Sequence, residues 1–539
     1  MIKNGNLFIS LGVEEMSVQQ FLDEQNLKVK DLHQNITNAS WMAQTTGEKE
    51  WAQKVAEAQT EFRTYFSNPE SLQAIESFLK GADGTALERR QLETLQSTFK
   101  ENKLPENTLK ELSQLSAELN HMFNTYEPEV NGKKLSANDV RNILINSLDL
   151  QERENAWKAS KEVGKVVEEK LLTLIKVRNE AAKAVGYANY HEMAFKNQEL
   201  DREEIFSIFQ KLIDLSDSTY RQLKHQLDEE LATKFGVTVS DIRPWHYVDP
   251  FFQEAPATEK TNLDPYFKDQ DIEKLTADTF AAMNISIDDL YEKSDLDPRP
   301  GKNPTAFCTD MDRNGDTRVL CNNQPDAYWM GTMLHEFGHA AYFKYLDREL
   351  PYVLRSPAHT LTTEAIAMLF GKMTENKEWL ETFLKLENDR LETLAPALEK
   401  FEQLKMLIAG RWIITFVFFE KELYENPDQD LNALWWKLVN EIQLVTPPED
   451  RDHPDWAAKI HFTLAPVYYQ NYLLGELTSA QLHQYIKTEV SEQFFNPTVG
   501  NFLNEQFFKP GSKYHWNEKI KRATGQPLNP QYFVDAYCR

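Results

Sequence analysis

Residues 333–346 read MLHEFGHAAYFKYL, and no other stretch constrains the chain as strongly. His335, Glu336 and His339 stand in the order H-E-x-x-H. On a helix, residues four apart share one face a turn apart, so both imidazoles can reach a single metal ion. Glu336 follows the first histidine, which aims its carboxylate at a water on that metal rather than at the metal itself. That is the arrangement of a zinc hydrolase. Pro325 and Asp326 suit the first turn of the helix this requires, and the run 327–346 contains no proline. The alternative is a buried helix with two hydrogen-bonded histidines.

Two histidines leave a zinc site incomplete, since a catalytic zinc takes three protein ligands and keeps one position open. Residues 361–373, LTTEAIAMLFGKM, supply the candidate third ligand, Glu364. A second helix is predicted here, with Ser356-Pro357 as its start. Ile366, Met368, Leu369 and Phe370 mark it as largely buried, where a carboxylate is costly unless paired or bound to metal. The alternative is a Glu364–Arg355 ion pair. Thr362 and Thr363 read as helix-start residues.

A length of 539 residues with 41% hydrophobic content allows a large core. Only 19 glycines are present and no Ser-, Pro- or Gly-rich tract divides the chain. Residues 17–539 are therefore expected to be one domain behind an N-terminal tail, residues 1–16. A net charge of −25 disfavours nucleic acid and anionic membrane surfaces as partners. No run of 18 apolar residues occurs, so no bilayer span is expected. The N-terminal stretch makes a poor signal peptide, and three cysteines make no disulfide framework, so a cytoplasmic location is expected unless a leader has been trimmed.

Most of the chain carries helical periodicity. Residues 17–130 and 137–198 show amphipathic patterns, and Asp201 reads as the cap of a long helix closing near Gly236. Residues 243–253, RPWHYVDPFFQ, are aromatic and turn-rich, and either line a cleft or pack as an irregular loop; His246 there is a lone histidine. Residues 303–322 differ from their surroundings. Asn314-Gly315 between β-prone segments predicts a two-residue hairpin turn, which sets Cys308 opposite Cys321. A cross-strand disulfide is conceivable there, and two reduced thiols are the better expectation. The strand edge at 305–308, beginning with Thr305 and Ala306, could pair with an extended peptide beside the metal; the alternative is a purely structural hairpin.

A second polar group lies in residues 456–476, WAAKIHFTLAPVYYQNYLLGE. Tyr469 and Tyr472 are three apart on a helix expected after Pro466. A tyrosine or histidine hydrogen bond could stabilise the oxyanion of peptide hydrolysis, and a lysine in an apolar wall suits a carboxylate. Equally, aromatic residues at this spacing are often core, and Lys459 could snorkel to solvent.

Together these segments resemble the angiotensin-converting-enzyme family of zinc peptidyl-dipeptidases, with kinship to the thimet-type oligopeptidases. The resemblance rests on HEFGH at 335–339, TEAIA at 363–367, WW at 435–436, AAKIH at 457–461, the Y-x-x-Y of Tyr469 and Tyr472, and VRNEAAKAVGYANYHEM at 177–193. It implies a mainly α fold: a two-lobed helical ellipsoid with a deep central channel, one zinc ion on its floor and N-terminal helices as a lid. It implies His335, His339 and Glu364 as zinc ligands and Glu336 as the general base. Tyr472 and His461 would stabilise the oxyanion, while Lys459 and Tyr469 would hold the C-terminal carboxylate. The expected reaction is release of C-terminal dipeptides from short peptides, with a thimet-type oligoendopeptidase or a non-catalytic helical binding protein as alternatives. Departures are visible. Asn303, Pro304 and Thr305 replace a histidine-bearing strand, Gln470 and Asn471 stand where an arginine belongs to a chloride site, and Met368 replaces an aspartate. Gln253 is the candidate for a glutamine that helps hold the carboxylate.

Overall fold

Helix caps written into the sequence set many of the element boundaries. Ser17 and Gln20 close a capping box at the start of Val18–Thr46, and Gly47 ends that helix with φ 67°. Asp201 caps the helix Arg202–Phe235, and Gly236 terminates it in the left-handed region, as the sequence predicts. The computed structural model describes residues 16–81 and 84–539, so the expected tail lies, apart from Met16, outside the described residues. No described helix is long and apolar enough to cross a membrane.

The architecture is mainly α. Helices Val18–Thr46, Lys49–Phe66, Pro69–Lys80 and Ala86–Glu101 contribute to a core of their own, in which Phe21, Leu32, Phe66 and Phe99 meet Leu350, Val353 and Leu354. The larger core runs through most of the later helices. At its centre the helix Thr360–Gly371 packs against Ala327–Lys344 on one side and Gln470–Tyr485 on the other. The long helix Asn388–Glu425 supports the third of these and carries Pro396 near its start.

The described strands form two antiparallel hairpins. Glu129–Val130 pairs with Lys133–Lys134, and Phe307–Asp310 pairs with Thr317–Leu320 against the helix Ala327–Lys344. The second is the hairpin expected at 303–322, with a different register. Cys308 faces Val319, not Cys321, and all three cysteines are free. The cause is the turn. A two-residue turn of the expected kind needs positive φ at both central positions. Here positive φ falls on Arg313 and Gly315, and Asn314 is not among the residues with positive φ. The Asp312 carboxylate accepts from the amides of Asn314 and Asp316, at 2.8 and 3.0 Å, and Met311 N–H bonds to Asp316 O at 2.7 Å. Asx chemistry thus lengthens the loop and shifts the pairing by two.

Candidate active site

The H-E-x-x-H helix is Ala327–Lys344, capped by Asp326, whose carboxylate accepts from Trp329 N–H at 2.7 Å. The Glu364 helix begins later than Ser356-Pro357. It spans Thr360–Gly371 because His359 caps it, its Nδ1 accepting from Leu361 N–H at 3.1 Å. Two glycines let the helices of the site approach closely. A Cβ on Gly338 would lie 3.1 Å from the Ala367 Cα, and one on Gly475 would lie 3.2 Å from the Glu364 Cβ.

This packing brings His335, His339 and Glu364 together. Their ligand atoms all lie within 4.8 Å of one another, and each histidine Nε2 is 3.9 Å from Glu364 Oε2. Ligands about 2.1 Å from a tetrahedral ion sit roughly 3.4 Å apart, so the three side chains need to draw together, each histidine and Glu364 by about half an ångström, to complete the sphere. His339 Nδ1 lies 2.7 Å from Thr363 Oγ1, which orients the ring and leaves Nε2 for a metal. Thr363, read from sequence as a helix-start residue, does both jobs. Arg355 does not pair with Glu364; its Nε donates to Leu350 O at 2.6 Å.

Glu336 is buried beside the hairpin, close enough for its charge to help raise the Cys308 and Cys321 thiols. Thr305 is exposed and Ala306 half-buried, and both precede the paired residues of the strand. The neighbouring strand Thr317–Leu320 is bridged on its far side by Asp295, so the open edge of the sheet is the one Thr305 and Ala306 lead into.

The third group of residues divides in two. Tyr472 is half-buried near Glu364, whose charge, after burial, raises its phenol. Tyr468 feels Glu364 in the same way. Tyr469 instead turns towards Lys459, whose Nζ is 5.8 Å from its ring, and its hydroxyl accepts from Trp412 Nε1 at 3.0 Å. Lys459 Nζ donates to Gln253 Oε1 at 2.8 Å. His461 stands edge-on to Tyr469, ring centroids 5.0 Å apart, with its buried Nδ1 unpartnered. Residues 243–253 thus deliver Gln253 to Lys459, while His246 packs against Phe235 and Trp245.

The loop carrying these tyrosines is held by buried polar side chains that sequence reading passed over. Val467 has φ 52°, a left-handed conformation that a β-branched residue adopts only under constraint. Its N–H donates to Glu420 at 2.9 Å, and its carbonyl accepts from Gln198 and Gln470, each at 2.8 Å. Arg178 donates to the carbonyls of Phe462 and Thr463 at 2.6 and 2.8 Å. The signal for Glu420 was an acidic residue inside an apolar run, as for Glu364; the signal for Tyr468 was its spacing of four from Tyr472.

The model of peptidase family M3 matches residues 143–538, and the model described as angiotensin-converting enzyme matches residues 13–247. The chain belongs to peptidase family M3. It is a zinc metallopeptidase, and its substrates are peptides.

The electrostatics of the M3 site suit zinc. Burial lowers His335 to about 4, and burial with the neighbouring His335 lowers His339 to about 3, so both are neutral at pH 7 and free to coordinate a cation. Burial, then Glu364, pushes Glu336 up to about 8; burial, then Glu476, pushes Glu364 up to about 7. Two neutral imidazoles and a carboxylate, with a second carboxylate alongside, form a donor set that a divalent cation stabilises and that leaves one position open.

Proposed function

We propose that this chain, with residues 17–539 acting as one peptidase domain, releases dipeptides from the carboxyl end of short peptides, and that His335, His339 and Glu364 hold its zinc. What supports the exopeptidase reading most is the setting of Lys459. The residue is 9% exposed, and its ammonium bonds the Gln253 amide and has no described carboxylate within ion-pair distance. A substrate's terminal carboxylate matches that ammonium in charge, with Tyr469 alongside.

A bound zinc ion supplies Lewis-acid polarisation of the scissile carbonyl and acidifies the attacking water. Glu336 takes the proton from that water and passes it to the leaving amine. Tyr472, held in its protonated form by burial and by Glu364, donates to the oxyanion, and His461 assists. One such donor is worth about 3 kcal/mol of barrier. Thr305, through its carbonyl since its N–H already donates to Asn303, and Ala306 offer main-chain groups to the peptide just ahead of the open strand edge, fixing the scissile bond in register.

The second reading is an oligoendopeptidase with the same metal chemistry and no carboxylate grip, which membership of family M3 equally allows. Paired substrates separate the two. A peptide with a free carboxyl end should be cut at least tenfold faster, in kcat/KM, than its C-terminal amide, with loss of two residues seen by mass spectrometry. Equal rates on acid and amide would leave the oligoendopeptidase.

A further inference from the structure

Lys161 ends the helix Leu150–Lys161 and is 2% exposed. Its Nζ lies 3.1 Å from the centroid of the Phe251 ring and 5.4 Å from that of Trp157. No described residue gives it a hydrogen-bond acceptor or an ion pair. The nearest acids are occupied elsewhere. Asp455 takes two bonds from Arg451, at 2.8 and 2.7 Å, and one from Trp436 at 3.1 Å. Asp249 accepts from the amides of Phe251, Gln253 and Glu254.

Lys459 lies over the same Phe251 ring, 5.1 Å from its centroid. Two buried ammonium groups therefore share one aromatic platform, and the loop that carries the platform also carries Gln253. Burial lowers Lys161 to about 7 and Lys459 to about 8, with Lys459 adding to the pressure on Lys161. Ring quadrupoles and the charges of Asp249 and Asp455 offset part of this.

We propose that Lys161 is the second cation of the seat to which Lys459 belongs, and that both ammonium groups hold the terminal carboxylate of the peptide. This rests on the exopeptidase reading and adds a residue to it. The readout is the ratio of kcat/KM for a free-acid peptide to that for its C-terminal amide, in the zinc-loaded full chain and its K161M and K161Q variants. A charge-assisted contact predicts that this ratio falls about 10- to 100-fold in both variants, through KM of the acid rather than kcat. A variant that loses both activities in proportion, leaving the wild-type ratio, makes Lys161 purely structural and overturns the proposal. A wild-type ratio near one overturns the carboxylate grip itself, and that failure shows in the wild type alone.

Discussion

Glu336 is buried and Glu364 half-buried in one patch with two neutral imidazoles, and on the proposed assignment their protons compete with zinc. Since burial and neighbouring carboxylates raise Glu364 to about 7 and Glu336 to about 8, the metal-free site at pH 7 holds a proton on most copies of Glu336 and on about half of Glu364. A cation stabilises the charged form of each, so uptake of zinc expels them. The sign follows: raising the pH through 7 and 8 removes the competing protons and tightens zinc, whereas lowering it weakens zinc. Titration calorimetry in buffers of different ionisation enthalpy should show between roughly one and two protons released per zinc at pH 7. Glu336→Gln deletes one of them, keeps the metal and abolishes turnover. If the variant releases as many protons as the wild type, or still cleaves peptide, Glu336 is not the base in this patch.

At the scale of elements, what could be read from sequence was what depends on local chemistry. The H-E-x-x-H helix, the Asp201-to-Gly236 helix and the hairpin at 303–322 all follow from caps, turn residues and periodicity, whereas Asp326, expected in the first turn, is the cap itself. What escaped depends on contacts distant in the chain. Thr363 is a helix-start residue by its neighbours and a histidine partner only because two helices meet. Glu420, Gln198 and Arg178 acquire their meaning from a loop far along the chain that they grip. The hairpin register failed because two aspartates, Asp310 and Asp312, remade the turn. Helix spacing is the exposed weakness of the site. In Gly338→Ala the new methyl group meets backbone at 3.1 Å, at the Ala367 Cα, which cannot rotate away. The helices carrying His335, His339 and Glu364 must then part by a few tenths of an ångström, and overpacking of this kind costs about 1–3 kcal/mol. The variant should melt lower and bind zinc at least about tenfold more weakly, by competition with a chelating dye. Unchanged zinc affinity would mean that the helix separation does not set the ligand geometry.

For the whole molecule, the first four described helices have a core of their own, and what ties them to the rest is polar as well as apolar. Arg90, in Ala86–Glu101, is buried and makes a two-pronged pair with Glu199, at 2.5 and 2.8 Å, while its Nε donates to Ser512 O at 2.9 Å. Glu199 has φ 54°, and its carbonyl accepts from His515 and Trp516 at 2.9 and 3.0 Å. One arginine thus joins the N-terminal helices to two distant parts of the body through a residue that is itself held in place. Arg90→Met preserves much of the apolar stem but strands a partly buried carboxylate, which costs about 3 kcal/mol. That energy belongs to the docking of the helices, not to the proposed zinc site, whose residues lie in other elements. Hydrogen exchange should therefore quicken across residues 18–101 in this variant while zinc affinity stays at the wild-type value. Uniform exchange, or loss of zinc in step with it, would mean that the N-terminal helices and the catalytic helices open as one unit, so that substrate entry requires more than a movement of the N-terminal helices.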